Sequence, residues 1–385
     1  MSNPKVIALF TSARSEYGLL KPLIERLILS KKFIVKLLVG GAHLLEEQGF
    51  TINEIIEDGF AIDHQFPYAS SDNSRENIIR SNGLLQLQLA DYFAQNKIDL
   101  LIVLGDRSEL IPVVSSSMLL EIPIAHISGG EVTEGSTDNQ VRHAVTKMSH
   151  IHFPATETYK SNILRMGEEE WRICVSGEPG LDSILTMDFP SKEDLYSSLK
   201  LSTAKTTILA TLHPETIENE ITADFIQNLI KGILQNKDTQ LLFTASNLDH
   251  GGAIINEVIE KLSLENENLI FVKSLGKLRY YSMLKYADIL IGNSSSGLVE
   301  AQSFNLPVLN IGKRQNGRLR NLNVIDVSAD LSEILTSIKK AESPEFKNNF
   351  YSEKNIYGDG NACEKIVTYL ESVNFEKLNF KKSTF

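Results

Sequence analysis

Short apolar runs alternate along this chain with longer stretches whose apolar residues recur three and four positions apart. The first run is Val6 to Thr11, followed by the polar Ser12-Ala13-Arg14-Ser15-Glu16 and then by Leu19, Leu20, Leu23, Ile24 and Leu27 at helical spacing. The change of period reads as strand, loop and helix. Further strand-like runs stand at Phe33 to Val39, Leu100 to Leu104, Ile122 to Ile127 and Ile151 to Phe153, and Glu76 to Asn96 is a long helical stretch among the segments between them. Strands that alternate with helices predict a parallel sheet whose ligands bind at the carboxyl ends of its strands.

The pattern breaks after Ser176-Gly177-Glu178-Pro179-Gly180, and Ser191 to Lys205 is polar and charged. It then restarts, with strand candidates at Thr207 to Leu212, Gln240 to Thr244, Leu269 to Val272, Ala287 to Ile291 and Pro307 to Asn310. The α/β organisation predicted is a Rossmann-like domain over 1–180, a second over 181–362, and a C-terminal helix and tail over 363–385. In that last part Cys363 to Val373 is amphipathic, and the polar end after it is expected to fray.

Composition narrows the function. A chain of 385 residues with 42% hydrophobic and 23% charged residues suits two globular domains. The formal net charge of −11 argues against a nucleic-acid-binding surface, so an anionic ligand must be held by local groups. Cys174 and Cys363 are the only cysteines and stand in no metal-like spacing, which disfavours a disulfide framework or a cysteine-rich zinc site. The N-terminus lacks a secretory pattern, and no stretch approaches the ~18 apolar residues of a membrane span. A cytoplasmic protein with no membrane partner is expected.

The candidate chemistry lies where predicted strands end. In Ala287 to Pro307 an apolar run meets Gly292-Asn293-Ser294-Ser295-Ser296-Gly297, and Leu298 to Phe304 has helical composition. Backbone N–H groups at a helix start, small residues and three hydroxyls suit a phosphate, while Glu300 about one turn later suits ribose hydroxyls. Equally, Ser294 could cap an ordinary helix and Glu300 be solvated. Gly105-Asp106-Arg107-Ser108-Glu109 follows the strand ending at Leu104; Asp106 reads as an acid or base, or as a cap or a partner of Arg107. Beyond the next strand, His126 to His143 contains Glu131 and Asp138, which either converge on Asp106 for proton transfer or form a solvated loop and an N-cap. His213 stands directly at a strand edge before Pro214, and His43 holds a similar position with weaker support. Arg14 and Arg314 are placed to clamp phosphate or to lie on the surface. Asn247, just past Gln240 to Thr244, joins Arg107 as a substrate-binding candidate. His143, His150 and His152 read as structural. No GxxxxGK[ST], GxGxxG after the first strand, HExxH or GxSxG occurs, so kinase, dehydrogenase, zinc-protease and α/β-hydrolase readings have no motif support.

Taken in order, TSARSEYG, GDRSE, HISGGEVTEG with Asp138 and VRHAVTKMSH after it, TLHPET, GNSSSGLVE and NIGKRQNGR resemble the motifs of the hydrolysing UDP-N-acetylglucosamine 2-epimerases, in particular the branch serving sialic and related nonulosonic acid synthesis. The resemblance runs from residue 5 to about residue 320. It implies two Rossmann-like domains of GT-B type with a cleft between them, usually a homodimer, and a reaction that needs neither metal nor nicotinamide cofactor. UDP-N-acetylglucosamine would lose UDP by elimination to a glycal, and hydration would release N-acetylmannosamine. The diacetamido analogue UDP-2,4-diacetamido-2,4,6-trideoxyglucose is the alternative substrate, and a GT-B glycosyltransferase the alternative activity. By motif match, Asp106, Glu131 and Asp138 are the acid/base candidates and His213 assists diphosphate departure. Ser294, Ser295 and Glu300 resemble the UDP site, Arg14 and Arg314 phosphate contacts, and His43 a sugar-pocket residue. Many members carry a glutamate where this chain has Ser128; either Glu131 takes that role or the proton work is distributed differently.

Overall fold

The computed structural model describes residues 3–72, 74–134, 137–214, 221–246 and 252–382. They form two compact units, one of residues 1–131, 137–183 and 357–385, the other of 132–136 and 184–356. Each unit is built on one sheet of six parallel strands.

In the first unit β1 (Lys5–Thr11), β2 (Phe33–Gly40), β3 (Ile62–Phe66), β4 (Leu100–Leu104), β5 (Ile124–Ile127) and β6 (Ile151–Phe153) lie in the order β3-β2-β1-β4-β5-β6. In the second, β7 (Thr206–Thr211), β8 (Thr239–Thr244), β9 (Leu269–Val272), β10 (Ile289–Gly292), β11 (Val308–Ile311) and β12 (Val324–Val327) lie in the order β12-β11-β10-β7-β8-β9. Counted from its own first strand, each sheet has the same winding. It runs outward one way, then restarts beside the first strand and runs the other way, so the crossovers diverge between β1 and β4 and between β7 and β10. Those divergence points are where a doubly wound sheet opens a crevice at its carboxyl edge.

Both faces of each sheet are covered, which is why the central strands are apolar throughout rather than alternating. Ile7 and Leu9 of β1 face one core layer, and Ala8 and Phe10 face the other. β10 divides in the same way, with Ile289 and Ile291 on one side and Leu290 on the other. Each buried Leu or Ile contributes about 1.5–3 kcal/mol of transfer free energy, so the sheets are the rigid part of each unit.

β10 also shows how closely the backbone packs. Gly292 has φ 151°, and a Cβ there would lie 1.8 Å from the Thr211 carbonyl oxygen. Only glycine lets β10 and β7 end side by side.

The C-terminal tail is anchored rather than frayed over its described part. Helix Ala362–Ser372 buries Ile366 and Leu370 in the first unit's core, against the helix Arg14–Leu29. The buried Arg172 donates to the carbonyls of Leu378 and Phe380, and Lys381 pairs with the buried carboxylate of Glu168. Composition alone could not reveal this, because the anchors lie about two hundred residues upstream. No helix among the described residues is long and apolar enough to cross a membrane.

Candidate active site

In the first unit, the predicted residues collect at the carboxyl ends of β1, β4 and β5. Asp106 follows Gly105 just beyond β4, and its carboxylate pairs with Arg142. Arg142 is 2% exposed, sits on the helix Thr137–Met148, and also donates to the carbonyl of the buried Glu131 at 3.4 Å. A buried guanidinium needs a carboxylate and further acceptors to offset its desolvation. Arg142 thus ties Asp106 and the backbone at Glu131 to one cation. Behind them, His126 Nε2 donates to the Gly105 carbonyl at 2.8 Å, and burial lowers the imidazole to about 3, so it is neutral and braces the β4 loop.

Ser128 follows β5 with φ 61°, unusual for a residue with a Cβ, and its hydroxyl donates at 3.0 Å to the buried carboxylate of Glu178. The Glu178 carboxylate is thereby held beside Ser128 from fifty residues along the chain. Gly130, two residues after Ser128, is required, since a Cβ there would lie 2.5 Å from the Tyr159 carbonyl. Asp138 is on the exposed first turn of the helix that carries Arg142.

At the divergence between β1 and β4, Arg107 Nε donates to Glu109 at 2.8 Å and lies 3.7 Å from Glu16. Glu16 and Glu109 are both buried and meet at Ser12. His43 lies beneath, with its ring nitrogens 3.1 Å from Thr11 Oγ1 and 2.8 Å from Thr51 Oγ1. Burial, reinforced by the Arg107 charge, lowers it to about 4, so it is neutral and already partnered on both sides. Arg14 opens the first helix, half-exposed, in an ion pair with Glu54. Its guanidinium is engaged on the protein surface.

In the second unit the site forms where β7 and β10 end together. The buried Asn293 brackets His213, its side chain accepting from the His213 N–H and donating to the His213 carbonyl, both at 2.8 Å. The Asn293 carbonyl in turn receives Arg314 Nη1 at 3.1 Å and Gln315 Nε2 at 2.8 Å. His213 Nδ1 is 3.5 Å from Ser246 Oγ, and burial, with the nearby Arg314 charge, lowers the imidazole to about 3. A neutral ring beside an arginine donates a hydrogen bond to an anion without itself being a cation. Asn247 lies outside the described residues.

The segment after β10 differs from its expectation. The α-helix is only Ser296–Val299, and at Glu300 the chain tightens into a 3₁₀ turn, Ala301–Phe304, ended by Asn305 in the left-handed region. Ser295 makes no side-chain cap, while Ser296 accepts from Tyr280 Oη at 2.9 Å. Four residues carry little macrodipole, so an anion here would have to be held by individual N–H groups, the half-buried hydroxyls of Ser294 and Ser295, and Arg314. Glu300 keeps one carboxylate oxygen, Oε2, buried without a hydrogen-bond partner among the described residues. Burial raises its carboxyl, against the pull of Ser296, Lys277 and Arg318. An acceptor held in this state is set for a ligand hydroxyl. Loop residues Thr133 and Glu134, which follow Glu131, belong with this second unit: Arg318 Nε donates to Thr133 Oγ1 at 3.4 Å and the Glu134 N–H to the Asn316 carbonyl at 3.0 Å.

The sequence matches the family described as UDP-N-acetylglucosamine 2-epimerase over residues 26–371. It is 36% identical over 377 residues to the GDP/UDP-N,N'-diacetylbacillosamine 2-epimerase (hydrolyzing) of Campylobacter jejuni, covering 97% of each chain. It is 34% identical over 364 residues to the UDP-N,N'-diacetylbacillosamine 2-epimerase (hydrolyzing) of Legionella pneumophila, covering 94% of each. Among solved structures, the UDP-GlcNAc 2-epimerase from Neisseria meningitidis, bound to UDP-GlcNAc, superposes with a TM-score of 0.83 at 20% identity, over 96% of this chain and all of that one.

Proposed function

The chain belongs to the UDP-N-acetylglucosamine 2-epimerase family, and from that premise we propose that it is a hydrolysing 2-epimerase whose substrate is UDP-2,4-diacetamido-2,4,6-trideoxyglucose, that is, UDP-N,N'-diacetylbacillosamine. The observation that carries the choice of sugar is the full-length similarity to two relatives named for that substrate. UDP-N-acetylglucosamine, converted to N-acetylmannosamine for sialic acid synthesis, is the second reading, favoured by the family's own description. A cytoplasmic homodimer is part of the proposal.

The chemistry follows from the two sets of groups. A base takes the proton from carbon 2 while the bond from carbon 1 to the UDP oxygen breaks, giving a glycal and UDP. Water then adds across the double bond, its hydroxyl to carbon 1 and a proton to carbon 2 from the opposite face, so the free sugar has the manno configuration. The C–H proton is a poor acid and needs a fixed carboxylate; Asp106, held by Arg142, is the base in this reading, with Glu131, Asp138 and Glu178 as the other carboxyl groups available for the proton that returns. Departing diphosphate needs charge stabilisation, for which Arg314, neutral His213 and the hydroxyls of Ser294 and Ser295 are suited, with Arg107 as a further contact. Glu300 accepts from the ribose hydroxyls.

The test is a time course by NMR in deuterated water, with each UDP-sugar separately and no acceptor. Release of UDP with a free manno-configured sugar deuterated at carbon 2, faster from the diacetamido substrate, is the expected result. A faster reaction of UDP-N-acetylglucosamine selects the second reading, and intact sugars in both tubes refute the activity. Glu300→Ala is expected to weaken UDP binding roughly 10- to 100-fold, the worth of a hydrogen bond to a charged acceptor, as read by calorimetric titration.

A further inference from the structure

The divergence point of the first sheet holds more acid than its charges account for. Ser12 Oγ lies 2.8 Å from Glu16 Oε2 and 2.7 Å from Glu109 Oε1. A serine hydroxyl has one proton, so it can donate to only one of these oxygens. Were both carboxyls ionised, the other contact would set two oxygen lone pairs against each other within hydrogen-bond distance, in a buried site. The groups around them do not resolve this. Glu16 Oε2 takes the Ser12 N–H at 2.8 Å, Glu16 Oε1 is buried without a hydrogen-bond partner among the described residues, and Arg107 places its Nε on Glu109 at 2.8 Å but 3.7 Å from Glu16. One positive charge thus faces two carboxyl groups, and it sits on Glu109.

We propose that Glu16 is protonated and donates to Ser12 Oγ, which donates to Glu109. This chain holds one proton behind Arg107, and Glu16 is thereby a positioning residue for substrate anion. With that proton present, Glu16, Glu109 and Arg107 are together neutral, and Arg107 keeps its terminal nitrogens for an incoming anion; among the described residues only its Nε is engaged. Without it, the three carry a net negative charge that opposes a diphosphate and pulls the guanidinium towards Glu16. The other titratable groups facing the cluster do not change charge near neutrality. Burial lowers His43 to about 4 and pushes the Tyr68 hydroxyl well up. Burial raises Glu16 itself to about 7, while the Arg107 charge and the Ser12 bond hold Glu109 down despite its burial. The sign follows: anion affinity is full below pH 7 and falls as pH rises through it.

The inference rests on the UDP-sugar reading only for its kinetic readout, so two measurements are paired. Infrared difference spectra of wild type against Glu16→Gln, with carbon-13-labelled glutamate and no substrate, are expected to lose one protonated-carboxyl C=O band that bleaches between pH 6 and about 8. In the second, Kd for UDP and KM for the UDP-sugar rise in wild type towards 10-fold per unit above pH 7. In Glu16→Gln, which is permanently neutral and keeps a donor, both stay flat, with kcat within about 3-fold. A wild type with no protonated-carboxyl band overturns the proton assignment whether or not the sugar is turned over. A Glu16→Gln enzyme with the wild-type pH dependence of Kd overturns the link to substrate.

Discussion

Asp106→Asn is expected to lower kcat about 10²–10⁴-fold, the usual contribution of a positioned general base, with KM changed far less. The side chain keeps its shape and an oxygen for Arg142, but the amide is not basic enough to take a proton from carbon. Some stability is lost as well. Arg142 is almost wholly buried and would exchange the Asp106 charge for a neutral polar partner; because Asp106 is about a quarter exposed, solvent screens the pair, and a loss of roughly 1–2 kcal/mol is expected rather than the full cost of an orphaned buried ion. Calorimetric binding of UDP, thermal melting and steady-state kinetics on the same preparation separate these effects. A variant that binds UDP, melts a few degrees lower and turns over normally would remove Asp106 from the chemistry and transfer the base to Glu131 or Glu178. Loss of UDP binding together with turnover would instead make Asp106 a determinant of the fold.

The same residues show which parts of the molecule can be read from sequence. β4 matches its apolar run to the residue because a strand buried on both faces carries no polar interruption, and β6 matches with the buried His152 at its centre. β3 and β12 offer no apolar run to read, because Asp63, His64 and Gln65 in the one and Asp326 in the other are exposed polar residues that interrupt it. The clusters at strand ends are legible because the winding of a parallel sheet always returns them to one edge, so Asp106, His213 and Ser294 needed only a strand prediction and a short loop. Their partners are not legible. Arg142 is one polar residue in an amphipathic helix, Glu178 meets Ser128 across fifty residues, and Ser12 meets Glu109 across ninety-seven. Those pairings exist only once the sheet order is fixed, and each replaces water with a buried partner at a cost no local pattern records. The segment after GNSSSG is less helical than its composition implies for a related reason. Composition assigns Leu298 to Phe304 to a helix, but the half-buried Glu300 sits where the chain leaves α geometry for a 3₁₀ turn.

Arg142→Met tests the other half of the Asp106 pair and is expected to have the larger effect on stability. Methionine fills much of the same buried space without a charge, so the change removes the cation while limiting the cavity. Among the described residues the Asp106 carboxylate and the Glu131 carbonyl lose it at once, both on segments that carry acid/base candidates. Breaking a buried ion pair from one side costs about 3–5 kcal/mol, which the partial exposure of Asp106 places at the lower end, and loosening of the β4 and β5 loops is expected to lower kcat about 10²-fold. The double variant Asp106→Asn/Arg142→Met separates charge pairing from simple bracing. If the ion pair dominates, removing both charges leaves no uncompensated ion, and the double variant is more stable than the sum of the single losses by roughly 1–2 kcal/mol in denaturant titrations. Strict additivity would mean that Arg142 acts through the Glu131 carbonyl, as a strut between the end of β5 and the helix Thr137–Met148. The base would then be positioned by the backbone, and the Arg142→Lys variant, which keeps the charge but shortens the reach, should fare no better than methionine.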